Sequence, residues 1–343
     1  MIEDYFVEKI SLHYSADRQR LEWFLAAHAL RFEDDIETAF GVFDHNDTLL
    51  GCGCAAGALL KCFAIENALR GQNALGLLTS ALTQDRFSAG YYDLFVITRT
   101  HNIPLFSACG FFEVAHTEQI AMLENRPKGP EDFVKTIWRA EDKGKTVGAI
   151  VMNCNPFTLG HRFVIETAAS RCDVLHVFVV EEDRSLFQTQ TRFELVREGT
   201  ADLPNVRVHL SGHYMISAAT FPTYFLKKNE DAATLQSELD ILVFAQRIAP
   251  ALHITKRFAG SEPFDPVTAK YNDTMRSILP RYGIEFCELP RMEQNGEAVS
   301  ASRVRAILER KGVCDEALSL VPEVTRRYLT TESRVDSGVC NGV

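Results

Sequence analysis

Two near-continuous apolar runs, Thr146 to Met152 and Val174 to Val180, the second broken only by His176, constrain this chain more than any other feature. Neither alternates apolar with polar residues, so each predicts a strand covered on both faces, the pattern of a parallel sheet with helices on either side. Helical stretches follow each run, from His161 to Arg171 and from Thr191 to Thr200, with a further strand over Val206 to Leu210. A helix over Leu235 to Arg247, strands over Arg257 to Gly260 and Ile284 to Leu289, and helices over Ser302 to Lys311 and Pro322 to Thr330 continue the alternation. Strand and helix in turn predict an α/β domain built on a Rossmann-like, doubly wound parallel sheet.

The front of the chain reads as α+β. Thr38 to Phe43 and Leu49 to Cys54 flank an Asp44-His45-Asn46-Asp47 turn and predict a hairpin. Phe63 to Ile65 and Tyr91 to Ile97 predict strands, while Ala74 to Thr83 and the segment from Pro104 to Ala108 predict helices. Asn125-Arg126-Pro127-Lys128-Gly129-Pro130 is a polar run with two prolines and a glycine, so a linker is expected there. The boundary falls near residue 127, giving domains 1–127 and 128–343, the second opening with a short charged helix over Phe133 to Lys143. A length of 343 residues agrees, since domains average roughly 150 residues.

Composition excludes several classes. With 46% hydrophobic and 24% charged residues the chain is not intrinsically disordered. No apolar run reaches the about 18 residues a membrane-spanning helix needs. Met1-Ile2-Glu3-Asp4-Tyr5 starts acidic with no apolar h-region, so no secretory signal is expected. Nine cysteines, odd in number and scattered, predict reduced thiols and a cytoplasmic protein. Cys52-Gly53-Cys54 lacks the spacing and second pair of a zinc site, so no protein metal site is expected. A net charge of −10 argues against phosphate-led nucleic-acid binding while leaving room for a local basic pocket.

The chemistry concentrates in the segment from Gly148 to His161, where a buried strand ends, an Asn153-Cys154-Asn155-Pro156-Phe157-Thr158-Leu159-Gly160 turn follows, and a helix begins. Unpaired N–H groups and the dipole at a helix N-terminus favour phosphate. The carboxyl end of a strand in an open parallel sheet is where ligands bind. Gly160 is expected to let a phosphate approach the backbone, with Thr158 and His161 in the same mouth. Gly144-Lys145-Thr146 echoes a P-loop, but Arg139 stands where the first glycine belongs and the segment precedes a strand, so it reads as a solvated turn.

Thr158-x-Gly160-His161 resembles the (H/T)-x-G-H motif of the nucleotidyltransferase superfamily. Val299-Ser300-Ala301-Ser302-Arg303-Val304-Arg305 resembles that family's I-S-S-T-x-x-R motif, with Ala301 in place of a serine. Gly260-Ser261-Glu262-Pro263-Phe264-Asp265-Pro266-Val267-Thr268 resembles its adenine- and ribose-contacting loop. Further segments, Glu181-Glu182-Asp183, Arg192 to Thr200 and Ser217 to Phe225, are similar to the citrate lyase ligases, a resemblance that covers nearly the whole chain. It implies activation of acetate with ATP to acetyl-adenylate and pyrophosphate. The acetyl group then passes to the thiol of a CoA-like prosthetic group on the acyl carrier subunit of citrate lyase, and AMP leaves. The same resemblance implies His161, Thr158 and Arg305 as catalytic residues, and Asn155, Phe157, Gly160, Gly260, Ser261, Glu262, Ser300 and Ser302 as ATP contacts. Mg2+ is expected to be held mainly by the triphosphate. Arg192 is a candidate phosphate contact, and Thr220, Phe221 and Tyr224 are candidates for an acetate pocket. His209, His213 and His253 are read as structural.

The front domain resembles the GNAT-type N-acetyltransferases through Asn102 to Phe111, where a helix ends at a Cys109-Gly110-Phe111 turn, and through Arg70 to Gly76. The small-residue slots of the family's pyrophosphate loop hold Asn73 and Leu75, or Leu75 and Leu77, according to the register chosen. Two readings of this domain stay open: docking of the carrier's pantetheine-like arm, or a structural remnant. For the whole chain the alternatives are an adenylyltransferase acting on a phosphate ester, a non-catalytic nucleotide-binding regulator, and an acetyltransferase working in the front domain. A basic cluster for a phosphate ester is not evident beside the loop. The intact Thr158, His161 and Arg305 set opposes a mere regulator, and the occupied small-residue slots oppose the acetyltransferase.

Overall fold

The computed structural model describes residues 5–69, 71–181, 185–216, 221–227, 230–262 and 265–337. In chain order the first elements are β1 (Phe6–Ile10), α1 (Ser15–Ala27), β2 (Thr38–Phe43), β3 (Leu49–Ala56), β4 (Leu59–Ile65), α2 (Ala74–Ser88), β5 (Phe95–Arg99), α3 (Ile103–Ala108), β6 (Phe112–His116) and β7 (Ile120–Glu124). Next come α4 (Gly129–Ile137), β8 (Val147–Met152), α5 (Leu159–Ala169), β9 (Val174–Val179), α6 (Thr189–Gly199), β10 (Val206–Leu210) and α7 (Ala232–Val243). The last are α8 (Ala249–Ala251), β11 (Ile254–Gly260), α9 (Pro266–Ile278), β12 (Glu285–Leu289), a small hairpin of β13 (Glu293–Gln294) and β14 (Glu297–Ala298), α10 (Ala301–Lys311), α11 (Asp315–Leu318) and α12 (Glu323–Ser337).

Two compact units result: 1–132 with 221–243, and 133–220 with 244–343. The sequence reading drew a single boundary near residue 127. The structure differs because Phe221–Val243 packs with the first unit, α7 lying against β6 and β7. The first unit is a seven-stranded sheet in the order β1-β2-β3-β4-β5-β7-β6. Its neighbours are antiparallel except β4 and β5, which run parallel and pair only through Leu59 with Phe95 and Leu60 with Val96. Leu60, Leu82, Leu94, Val96, Phe106 and Phe111 form its main core. This is an α+β unit. At the start of α2, Asn73 is left-handed, with φ of 61°. Its Oδ1 stands 2.3 Å from where a Cβ on Gly76 would be, so a side chain lies over the helix's first turn.

The second unit is an all-parallel five-stranded sheet in the order β10-β9-β8-β11-β12. From β8 the chain builds outward through β9 to β10, then returns to the other side of β8 with β11 and β12. The strand order therefore reverses between β8 and β11, and ligands bind outside the carboxyl ends of strands at such a reversal. Ile150, Val164, Ile165, Val177, Leu195 and Phe258 fill the core beneath α5 and α6.

Several boundaries move for identifiable reasons. The charged helix expected over Phe133 to Lys143 is α4, Gly129–Ile137. It begins inside the expected linker because proline is well tolerated in a first helical turn. The helix expected over Leu235 to Arg247 is α-helical through Val243 and π-helical from Phe244 to Ile248. Asp265 caps α9, its carboxylate accepting from the Val267 N–H at 3.1 Å.

Candidate active site

The loop after β8 is shaped by its caps. Cys154 is left-handed, with φ of 53°, and the Asn155–Pro156 bond is cis. Thr158 is the N-cap of α5, and its Oγ1 accepts from the His161 N–H at 3.3 Å. The box closes in reverse when the Thr158 N–H donates to His161 Nδ1 at 3.1 Å, histidine standing where a capping box usually has glutamate or glutamine. With Nδ1 accepting, the neutral imidazole carries its proton on Nε2. That edge is left for a ligand. Burial, with Arg291 and Arg305 nearby, lowers the His161 pKa to about 4, so the ring is uncharged at neutral pH.

Gly160 has a different reason from the expected one. A Cβ there would stand 2.2 Å from the backbone oxygen of Val299. The missing side chain makes room for the second motif, not for phosphate, and so ties the two motif segments together. Ser300 then caps α10, its Oγ accepting from the Arg303 N–H at 3.2 Å and lying 3.1 Å from Ser302 Oγ. Arg305, one turn on, donates to the Asn155 carbonyl. His161, Asn155, Gly160, Ser300, Ser302 and Arg305 thus border one cleft of about 960 Å³, placed between the carboxyl ends of β8 and β11.

The third segment forms the far side. Gly260 and Glu262 border the cleft and Ser261 does not. The Ser261 carbonyl accepts from Arg291 Nε at 2.7 Å, and Glu262 pairs with the same guanidinium. Sequence reasoning missed Arg291 and Arg257, both of which border the cleft. The signal for Arg291 was its place directly after a strand, in Leu289-Pro290-Arg291, at the ligand-binding edge of the sheet. Burial lowers its pKa below the usual arginine value.

Other expected site residues stand elsewhere. Thr158 is fully buried and does not border the cleft; it holds His161 in place. Phe157 is also core, its ring stacked 6.2 Å behind the imidazole and its carbonyl accepting from Thr325 Oγ1 at 2.9 Å. Arg192 is corrected most clearly. It is 0% exposed, and it donates to the carbonyls of Asn153 at 2.7 Å, Val180 at 2.8 Å and Phe187 at 3.0 Å. It clamps the loop from behind instead of facing a phosphate. Phe221 and Tyr224 are buried in the first unit, where the Tyr224 carbonyl accepts from the Arg31 N–H at 3.0 Å, and neither borders the cleft of the second unit. Thr220, Glu182 and Asp183 lie outside the described residues. Among the described residues no group of three or more His, Cys, Asp or Glu is placed to hold a metal ion.

A cleft at the reversal of a parallel sheet, edged by two capped helix N-termini, an imidazole and arginines, defines an α/β domain of Rossmann-like build whose cleft suits an anionic ligand. Residues 147–329 match the family model of the citrate lyase ligase C-terminal domain. The [citrate [pro-3S]-lyase] ligase of Klebsiella pneumoniae is 41% identical over 318 residues, covering 91% of this chain and 92% of that protein. The same-named protein of Escherichia coli (strain K12) is 38% identical over 312 residues, covering 89% and 88%. That of Haemophilus influenzae is 37% identical over 317 residues, covering 90% and 94%. The chain belongs to the citrate lyase ligase family. Among the described residues no helix is long and apolar enough to cross a membrane.

Proposed function

We propose that this protein activates acetate with ATP and acetylates the thiol of the CoA-like prosthetic group on the citrate lyase acyl carrier subunit. A carboxylate oxygen forms a bond to the α-phosphorus as the bond to the pyrophosphate oxygen breaks, and that electron pair leaves with pyrophosphate. The carrier thiol then attacks the acetyl carbonyl, its proton is released, and AMP departs.

One observation carries this reading: His161 and Arg305, 144 residues apart in sequence (305 − 161), border one cleft between two helix N-termini. Negative charge grows on the phosphoryl oxygens as the new bond forms, so fixed donors aimed at that position stabilise the transition state most. His161 donates through Nε2 to the α-phosphoryl oxygens as a neutral group. Arg305 and Arg291 hold the β- and γ-phosphates and the departing pyrophosphate. Ser300, Ser302 and the amides at the starts of α5 and α10 complete the grip. Gly260 and Glu262 face the nucleoside. The cleft's donors suit a polyanion, and Mg2+ would travel on the triphosphate and neutralise part of its charge.

Incubating the protein with ATP, Mg2+, acetate and deacetylated carrier, then reading the intact mass of the carrier, tests the proposal. One acetyl group added per carrier, with AMP and pyrophosphate released, is the expected outcome. Pyrophosphate release that depends on a phosphorylated acceptor instead of acetate overturns it.

A further inference from the structure

Arg257 lies in the middle of β11 and is only 4% exposed. Its guanidinium carbon sits 4.8 Å from the centroid of the Phe244 ring. Its Nη1 has no hydrogen-bond partner, and no carboxylate among the described residues pairs with it. Arginine stays charged in a protein, and a buried charge without a counter-charge is strongly unfavourable. The other buried Lys and Arg side chains among the described residues are satisfied: Lys61 by Glu33 and Asp35, Arg86 by Glu37 and Asp85, and Arg192 by backbone carbonyls. Arg257 is the exception, and it borders the same cleft as His161.

Its position differs from that of the other arginines. It stands three residues before Gly260, which ends β11, so at roughly 3.3 Å per residue its Cα is about 10 Å along the strand from the edge where the helix N-termini gather, while its side chain borders the cleft. Phe258 and its partner Ile150 belong to the core under α5. Alternation along the strand turns Arg257 and Ala259 to the opposite face, where the cleft wall includes Val151 and Met275. A guanidinium beside a small apolar wall suits a short carboxylic acid better than a polyphosphate.

Building on the adenylation reading, we infer that Arg257 holds the carboxylate of the acid to be activated. One oxygen rests on the guanidinium, the other meets the α-phosphorus, and the alkyl group lies against Val151, Ala259 and Met275. Arg257 is then a substrate-binding residue that selects for a short, singly charged acid.

The test uses full-length wild type, Arg257→Met and Arg257→Lys. It measures acetate-dependent ATP–pyrophosphate exchange, and the acetate-induced rise in melting temperature without ATP. Arg257→Met is expected to raise the KM for acetate at least about tenfold, the scale of a lost charge-assisted pair, while the KM for ATP stays within about twofold. It is expected to melt no lower than wild type, since an unpaired charge is gone. An unchanged acetate KM overturns the inference, as does an ATP KM that rises in step. If Arg257→Met does not fold, Arg257→Lys decides: it loses the planar fork, so an acetate KM raised several-fold supports the inference and an unchanged one overturns it. Should wild type show no acetate-dependent exchange, the adenylation reading fails by itself. The melting data then decide this inference: an acetate shift present in wild type and absent in the variant supports it, and equal shifts or none in either overturn it.

Discussion

Thr158 and His161 work as one device. The backbone N–H of Thr158 occupies Nδ1 at 3.1 Å and leaves Nε2–H free, while burial and two arginines keep the ring neutral. The function this suggests needs a donor and not a charge. His161→Ala is therefore expected to lower acetate-dependent ATP–pyrophosphate exchange by about 100- to 1000-fold, the usual cost of one such donor, with no loss of folded structure by circular dichroism. His161→Gln, which keeps a neutral N–H, is expected to recover part of that loss, and recovery by a lysine instead would argue for a cationic role. The histidine was legible because a strand, a turn and a T-x-G-H run name the place. The role of Arg192 was not, because a helix arginine facing solvent and one buried under a loop look alike in sequence. Its guanidinium satisfies three carbonyls of the loops around the cleft. Arg192→Met leaves them buried and unpaired, which should destabilise the second unit by roughly 3–5 kcal/mol. Urea unfolding checks this, and a variant as stable as wild type would remove the clamp.

At the scale of elements, the parallel sheet was readable because its central strands β8 and β9 are near-continuous apolar runs, and β8, β9 and β10 fall within a residue or so of expectation. β1, α1, β6, β7 and α9 were not. In α1 only Leu21 and Leu25 are buried, so charged residues blur the helical period. β6 and β7 are five-residue strands paired as a hairpin, and in β6 only Val114 and Ala115 are buried, too few to set a period. Neighbouring strands also hold a pair that no motif announces: His176 Nδ1 of β9 lies 3.0 Å from His209 Nε2 of β10. Burial first, then Arg207 and Arg139, lowers His176 to about 4 against a raising effect of Asp142, and burial, then His176, Arg207 and Arg139, lowers His209 to about 3. Both folded values lie below the unfolded value of about 6.5. Between those values the unfolded chain binds protons that the folded one does not. Stability is then fully present above about pH 6.5 and is lost progressively as pH falls towards 4. Melting temperature should drop between pH 7.5 and 5, and His209→Gln, which does not titrate, should flatten the drop. An unchanged slope in that variant would assign the pH dependence to other groups.

At the scale of the molecule, the chain passes between its two units three times, after residues 132, 220 and 243. The linker at 125–130 was visible as composition. The later passages were not, because sequence shows that a segment is apolar but not which core it joins. Phe221, Tyr224, Leu235, Leu239 and Ile241 are buried, and the segment that carries them belongs to the first unit. Removing 1–132 alone therefore strips Phe221–Val243 of the sheet it packs on and exposes that apolar face to water. Such a chain is expected to aggregate or bind a hydrophobic dye. Removing 221–243 as well, with a flexible linker joining 220 to 244, is expected to give a monodisperse second unit that melts cooperatively. A soluble, dye-free product from the first truncation would show that the segment does not depend on the first unit. The double truncation then separates the two readings of the first unit. Retained acetate-dependent exchange with lost carrier acetylation assigns that unit to holding the carrier's arm; full carrier acetylation at unchanged carrier affinity leaves it a structural part only.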